Sequence, residues 1–160
     1  MSWIYVIVLC YIAAGISYFF TGSRIYLIDK KSKMRRTFFI TALMLGALAI
    51  SYGLMTVVAY QEAARVFWSV GFIMTCMFLP FWISFLFQVA SIKTTASKVS
   101  VLLLFLGGAV VAASGVLSDG VTFVRTDIGF NFTYSMFPFV ALPVYVSICA
   151  VFMMLLILKW

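Results

Sequence analysis

The stretch VFWSVGFIMTCMFLPFWISFLFQVASI, Val66–Ile92, carries no charged residue across 27 positions. An α-helix rises about 1.5 Å per residue, so about 20 residues span a hydrocarbon core of roughly 30 Å. This run is long enough to cross a bilayer once and too short to cross twice. Glu62 and Arg65 stop it on one side, Lys93 and Lys98 on the other. Working outward, the pattern repeats in Met1–Ser23, Thr37–Gln61, Val99–Ser118 and Ile128–Leu158, uncharged runs of 23, 25, 20 and 31 residues. A charge at mid-helix costs about 2.5–3.5 kcal/mol on insertion scales, so charges collect between the spans. Transmembrane strands would instead alternate in segments of about ten residues.

The expected fold is therefore an all-α membrane protein, a five-transmembrane-helix bundle forming one membrane domain over residues 1–160. The expected helices are 3–26, 37–60, 64–90, 99–117 and 136–158. Composition agrees. Hydrophobic residues make up 66% of the chain, charged residues 9%, and mean hydropathy is +1.19, whereas soluble domains carry about 25% charged residues. Met1–Phe20 has no basic segment before its apolar run, as a cleaved signal would, and is expected to persist as the first helix.

Lys and Arg are asymmetric across the connections. Arg24, Lys30, Lys31, Lys33, Arg35, Arg36, Lys93, Lys98 and Lys159 fall on one side, and only Arg65 and Arg125 on the other. The positive-inside rule then predicts the N-terminus outside and the C-terminus in the cytoplasm. Trp3 and Tyr5 suit the outer interface. The net charge of +7 is read as contact with anionic headgroups, not as a nucleic-acid surface.

Several chemistries lack their residues. There is no histidine, which removes the commonest ligand for haem, zinc and copper and any Ser-His-Asp hydrolase. The four acids, Asp29, Glu62, Asp119 and Asp127, all lie in connections, so no span carries a proton relay. No mid-helix lysine and no phosphate-cradling glycine loop is present. The reading is no enzyme, no cofactor and no metal. Cys10, Cys76 and Cys149 fall inside spans, far apart in sequence, and read as packing residues.

What remains is packing and one elaborate loop. Ala42, Gly46, Ala49 and Gly53 line one face of the second helix, and Gly108 pairs with Ala112 in the fourth, as close helix approach requires. Pro80 and Pro143 predict kinks. Gln61–Ala64 is expected as a tight turn, and Gln88 is expected to reach water or headgroups. From Asp119 to Tyr134 the chain does more than reconnect two helices. Ile128, Phe130, Phe132 and Tyr134 alternate with Gly129, Asn131 and Thr133, the period of a half-buried strand. With Val121–Val124 before it and Arg125-Thr126-Asp127 as the turn, this predicts a short β-hairpin over the outer mouth. Arg65, Asp119, Arg125 and Asp127 are the candidate ligand-binding residues on that side, with solvated turn residues as the competing reading. The sequon Asn131-Phe132-Thr133 also lies there.

From Thr37 onward the chain resembles the N-terminal seven-transmembrane sensor region of bacterial histidine kinases. The residues that carry the resemblance are Ser51-Tyr52-Gly53-Leu54 ending a helix, the turn Gln61-Glu62-Ala63-Ala64, Phe67-Trp68, the central Phe78-Leu79-Pro80-Phe81, and Asp119–Tyr134. The resemblance implies a sensor or signal-input module of a two-component system in a bacterial inner membrane. That family has two further helices and a kinase portion, which these 160 residues do not contain, so the module is expected to be truncated and non-catalytic by itself. Alternatives are a small transporter or channel subunit acting as an oligomer, or a structural subunit of a membrane complex. Each reading has the lipid bilayer as a partner, along with self-association or another membrane protein. The ligand is unknown.

Overall fold

The computed structural model describes residues 3–117, 121–126, 129–134 and 136–158, the side chains of residues 136–138 excepted. Five helices follow one another: α1 (Trp3–Ile28), α2 (Lys33–Val57), α3 (Gln61–Val89), α4 (Thr95–Leu117) and α5 (Met136–Leu158). Between the last two lie β1 (Val121–Thr126) and β2 (Gly129–Tyr134), paired antiparallel. All five helices are long and apolar enough to cross a membrane.

The middle three helices start earlier than the charge pattern predicts, because their first turns are satisfied outside the uncharged runs, while α1 and α5 begin at the expected residues. The Ser32 hydroxyl accepts from the Arg35 N–H at 3.5 Å, so α2 begins at Lys33 and not at residue 37. Thr94 Oγ1 accepts from the Ser97 N–H at 3.2 Å, which starts α4 at Thr95 and not at 99. Such side-chain oxygens satisfy orphan amides of a first turn. Likewise α3 opens at Gln61, with the Ala64 N–H on the Tyr60 carbonyl at 3.1 Å. The turn expected at Gln61–Ala64 is thus helical, and extended Val58 ends α2 at Val57, short of residue 60. Much of the basic cluster is helical as well: Arg24 belongs to α1, its guanidinium 5.5 Å over the Phe20 ring. Long basic side chains can carry their charge outward from a helix end.

Helix α3 is the hub. It packs against α2 on one side and against α4 and α5 on the other, while α1 touches mainly α2. Ala64, Trp68, Phe72, Cys76 and Pro80 recur every four residues and are all buried. This stripe meets Leu104, Val111 and Ala112 of α4 and Tyr145 and Cys149 of α5 in one core. Several Ser and Thr hydroxyls inside the spans bond back to their own helix, as Thr41 Oγ1 does to the Thr37 carbonyl at 2.8 Å, which pairs their donors without water. Gln88 departs from expectation. Its Nε2 donates to Thr37 Oγ1 at 2.9 Å and to the Ser84 carbonyl at 3.2 Å, so it ties α3 to α2 instead of extending into water.

Candidate functional site

The hairpin is where the chain exceeds what crossing a membrane needs. Its register pairs Phe123 with Phe132 and Val121 with Tyr134. Period-two alternation then sorts the faces. Val121, Phe123 and Phe130 are buried, Phe132 and Tyr134 half-buried, and Thr122, Val124, Asn131 and Thr133 exposed. The turn is shorter than the sequence predicts: Arg125 and Thr126 are paired strand residues, with Thr126 opposite Gly129. On the outer face the Thr122 and Thr133 hydroxyls bond to each other, a cross-strand pair that reinforces the register.

The inner face rests on Trp68, which is 1% exposed. Its ring stacks on Phe72 at 4.8 Å and meets Phe123 edge-on at 6.0 Å, with Phe132 at 5.8 Å and Tyr134 at 6.0 Å. Offset and edge-to-face contacts of this kind add about 0.5–1.5 kcal/mol each beyond the area they bury. The indole N–H is buried and has no hydrogen-bond partner. The Tyr134 hydroxyl lies near enough to feel it electrostatically without completing a hydrogen bond. Burial raises the Tyr134 phenol above its ordinary value, and the indole pulls in the opposite direction.

Below the aromatic cluster the stripe of α3 reaches a polar node. Proline has no N–H, so Pro80 leaves the carbonyl four residues before it, that of Cys76, without its helical partner. Tyr145 of α5 supplies the missing donor. Its hydroxyl lies 3.0 Å from the Cys76 carbonyl and 3.1 Å from the Leu104 carbonyl of α4. One proton therefore serves two acceptors on two helices. Gly108 makes room for it, since a Cβ there would lie 2.7 Å from Tyr145 Oη and 2.8 Å from the Cys76 oxygen. Pro143 stands two residues before Tyr145 in the same helix. The close approach of α4 and the loss of one amide in α3 thus meet at a single tyrosine.

The expected ligand-binding residues are dispersed. Arg125 donates from Nη1 to the Ala59 carbonyl at 3.2 Å and covers the Phe130 ring at 5.9 Å, pinning the hairpin to the α2–α3 connection. With Tyr5, Thr56 and Val58 it lines a cleft of about 200 Å³, smaller than the 300–1,000 Å³ of usual ligand pockets. Arg65 lines a different, open groove with Tyr60, Gln61 and Glu62. Asp119 and Asp127 lie outside the described residues. Gly46 and Gly53 face α1: a Cβ on Gly46 would overlap the Phe19 ring and stand 3.0 Å from the Gly15 carbonyl, and one on Gly53 would stand 2.8 Å from Tyr11 Cβ. Tyr145 escaped the sequence reading, and Trp68 entered it only as part of the resemblance. Tyr145 had a signal, since a mid-span phenol and a proline-freed carbonyl each require a partner. Among the described residues no group of three or more His, Cys, Asp or Glu could hold a metal ion. No protein-family model matches the chain, and neither curated proteins nor solved structures give a match.

Proposed function

We propose that this chain is a membrane-embedded signal-input module whose hairpin receives the stimulus and whose α3 passes it to α5. In this reading the N-terminus and the hairpin face outward, and the end of α5 faces the cytoplasm, which the lysine and arginine asymmetry supports. The pattern resemblance to the input region of histidine kinases supports it. The observation that carries it is the continuous buried stripe from the hairpin through Trp68, Phe72 and Cys76 to Tyr145. A stimulus that shifts the hairpin displaces rings in direct contact with α3. At the far end of that path, a hydroxyl shared between two carbonyls has two alternative bonds to choose from.

Two experiments test the reading. Cysteine at position 125 should react with an impermeant maleimide in intact cells, and cysteine at position 30 only after permeabilisation. The opposite pattern would invert the module and remove the hairpin from the outside. Purified protein in liposomes should pass ions and small solutes no faster than empty vesicles. Flux above that background would favour a channel or transporter subunit.

A further inference from the structure

A cavity of about 690 Å³ opens at the end of the bundle away from the hairpin, where α2, α3 and α4 meet. Exposed Lys33, Lys93 and Lys98 line it, one from the first turn of α2, one from the α3–α4 connection and one from the first turn of α4. No carboxylate is among the described residues that line it. Three ammonium groups brought together from three segments, without a counter-charge, form a trap for an anion.

Deeper in the cavity stands Gln88. Its amide nitrogen donates to Thr37 Oγ1 and to the Ser84 carbonyl and hydroxyl, while its Oε1 is buried and has no partner. Thr37 Oγ1 already donates to the Lys33 carbonyl at 3.0 Å, so it must accept from the amide, which fixes Oε1 as the idle atom. A buried acceptor left unpaired costs about 1–3 kcal/mol. That atom has almost no accessible surface, so it lies behind the cavity wall and out of reach of an occupant. What the three lysines call for is an anion such as a phosphate ester.

The surroundings decide between a lipid and a soluble ester. A second groove shares Phe87, Ile92 and Ser97 with the cavity and continues between α4 and α5 along Phe152, Leu155 and Leu156. A charged chamber that runs into an apolar groove matches an amphiphile, with the head in the cavity and a chain along the groove. We infer that this end of the bundle is a binding site for an anionic phospholipid such as phosphatidylglycerol, its phosphate among Lys33, Lys93 and Lys98 and an acyl chain along Phe152, Leu155 and Leu156.

The test is retention of lipid by the purified chain, read by native mass spectrometry after release from mixed bilayers. The chain should retain phosphatidylglycerol over phosphatidylcholine. Each lysine near an anionic headgroup contributes about fivefold, so K33Q/K93Q/K98Q should lower that preference on the order of 100-fold. R24Q/R35Q/R36Q removes three charges at the same end without touching the cavity and should lower it far less. Equal losses in the two triple variants, or no headgroup preference in the parent chain, would overturn the site. Phosphatidylmethanol has the charge without the glycerol hydroxyls. It should be retained as well as phosphatidylglycerol by the parent chain, and clearly weaker retention would contradict recognition through the phosphate and the acyl chain. Glycerol 3-phosphate added to phosphatidylcholine bilayers should leave thermal stability unchanged. Stabilisation by that soluble ester, with no effect of phosphatidylglycerol, would overturn the lipid assignment.

Discussion

The two halves of the bundle are held together by different means. Between α1 and α2 the contact runs mainly across missing Cβ atoms, with one ring pair, Tyr26 stacked on Phe39 at 4.9 Å, near one end. Gly15 meets Gly46 and Ile50, Gly22 meets Ala42, and Gly53 meets Tyr11. No hydrogen bond between side chains crosses this seam among the described residues. Lipid tails are as apolar as the side chains they replace, so such contacts gain from close van der Waals packing and not from water release. On the other side, α3, α4, α5 and the hairpin are joined by large aromatic rings and by the Tyr145 hydroxyl. A glycine seam has one good arrangement. A phenol between two carbonyls, under a ring cluster whose indole N–H is unpaired, has more than one. Under the proposed function the first half is the clamp and the second the part that changes state.

Substitutions should break the halves separately. Trp68→Ala should have the largest effect, about 3–5 kcal/mol, the usual cost of emptying an aromatic core site. Hydrogen exchange should rise first in the hairpin and α3, with α1 and α2 still protected. Gly46→Val should cost about 1–3 kcal/mol by overpacking against Phe19 and the Gly15 carbonyl, and exchange should then rise in α1. If either variant loosened both halves equally, the division would fail.

The node allows a sharper test by rescue. Tyr145→Phe strips the Cys76 carbonyl of its donor and should cost about 0.6–1.7 kcal/mol, the range for hydrogen bonds within membranes. Pro80→Ala returns an N–H to that carbonyl from within α3, so Tyr145→Phe should cost less in the Pro80→Ala background. Thermal unfolding in detergent measures both, and an undiminished cost would show that the tyrosine is not serving the proline gap.

The smallest expected effect concerns pH. Tyr134 has its phenol raised by burial above the ordinary value of 10.0. A phenol raised on folding contributes its full stability below that ordinary value and loses it as pH climbs towards the folded value. Hairpin docking should therefore be constant through neutral pH and weaken above about 10. Fluorescence of Trp68, with the other tryptophans replaced by phenylalanine, should report this. Tyr134→Phe should flatten that part of the profile, and an unchanged profile would place the titrating group elsewhere.

Much of the architecture was legible because lipid makes harsh demands on sequence. Fifteen charges that avoid five apolar runs mark the spans, and a seven-residue alternation marks β2. Helix ends were misplaced because Ser32 and Thr94 cap a turn outside the apolar run, where hydropathy carries no information. Arg125 looked like a turn residue by its polarity. It is a strand residue whose guanidinium lies over the Phe130 ring and donates to the Ala59 carbonyl. Gln88 looked solvent-seeking until Thr37, 51 positions away, proved to be its partner. Partners that distant leave no mark in local pattern.

The central claim is that the hairpin and α5 are energetically coupled through α3. A double-mutant cycle between Phe132→Ala, beside Trp68, and Tyr145→Phe, at the node, measures it directly by unfolding free energies in one detergent. Independent sites add within about 0.3–0.5 kcal/mol. The account predicts an interaction energy above that margin, abolished when the cycle is repeated in Trp68→Ala. Simple additivity of Phe132→Ala and Tyr145→Phe would contradict it.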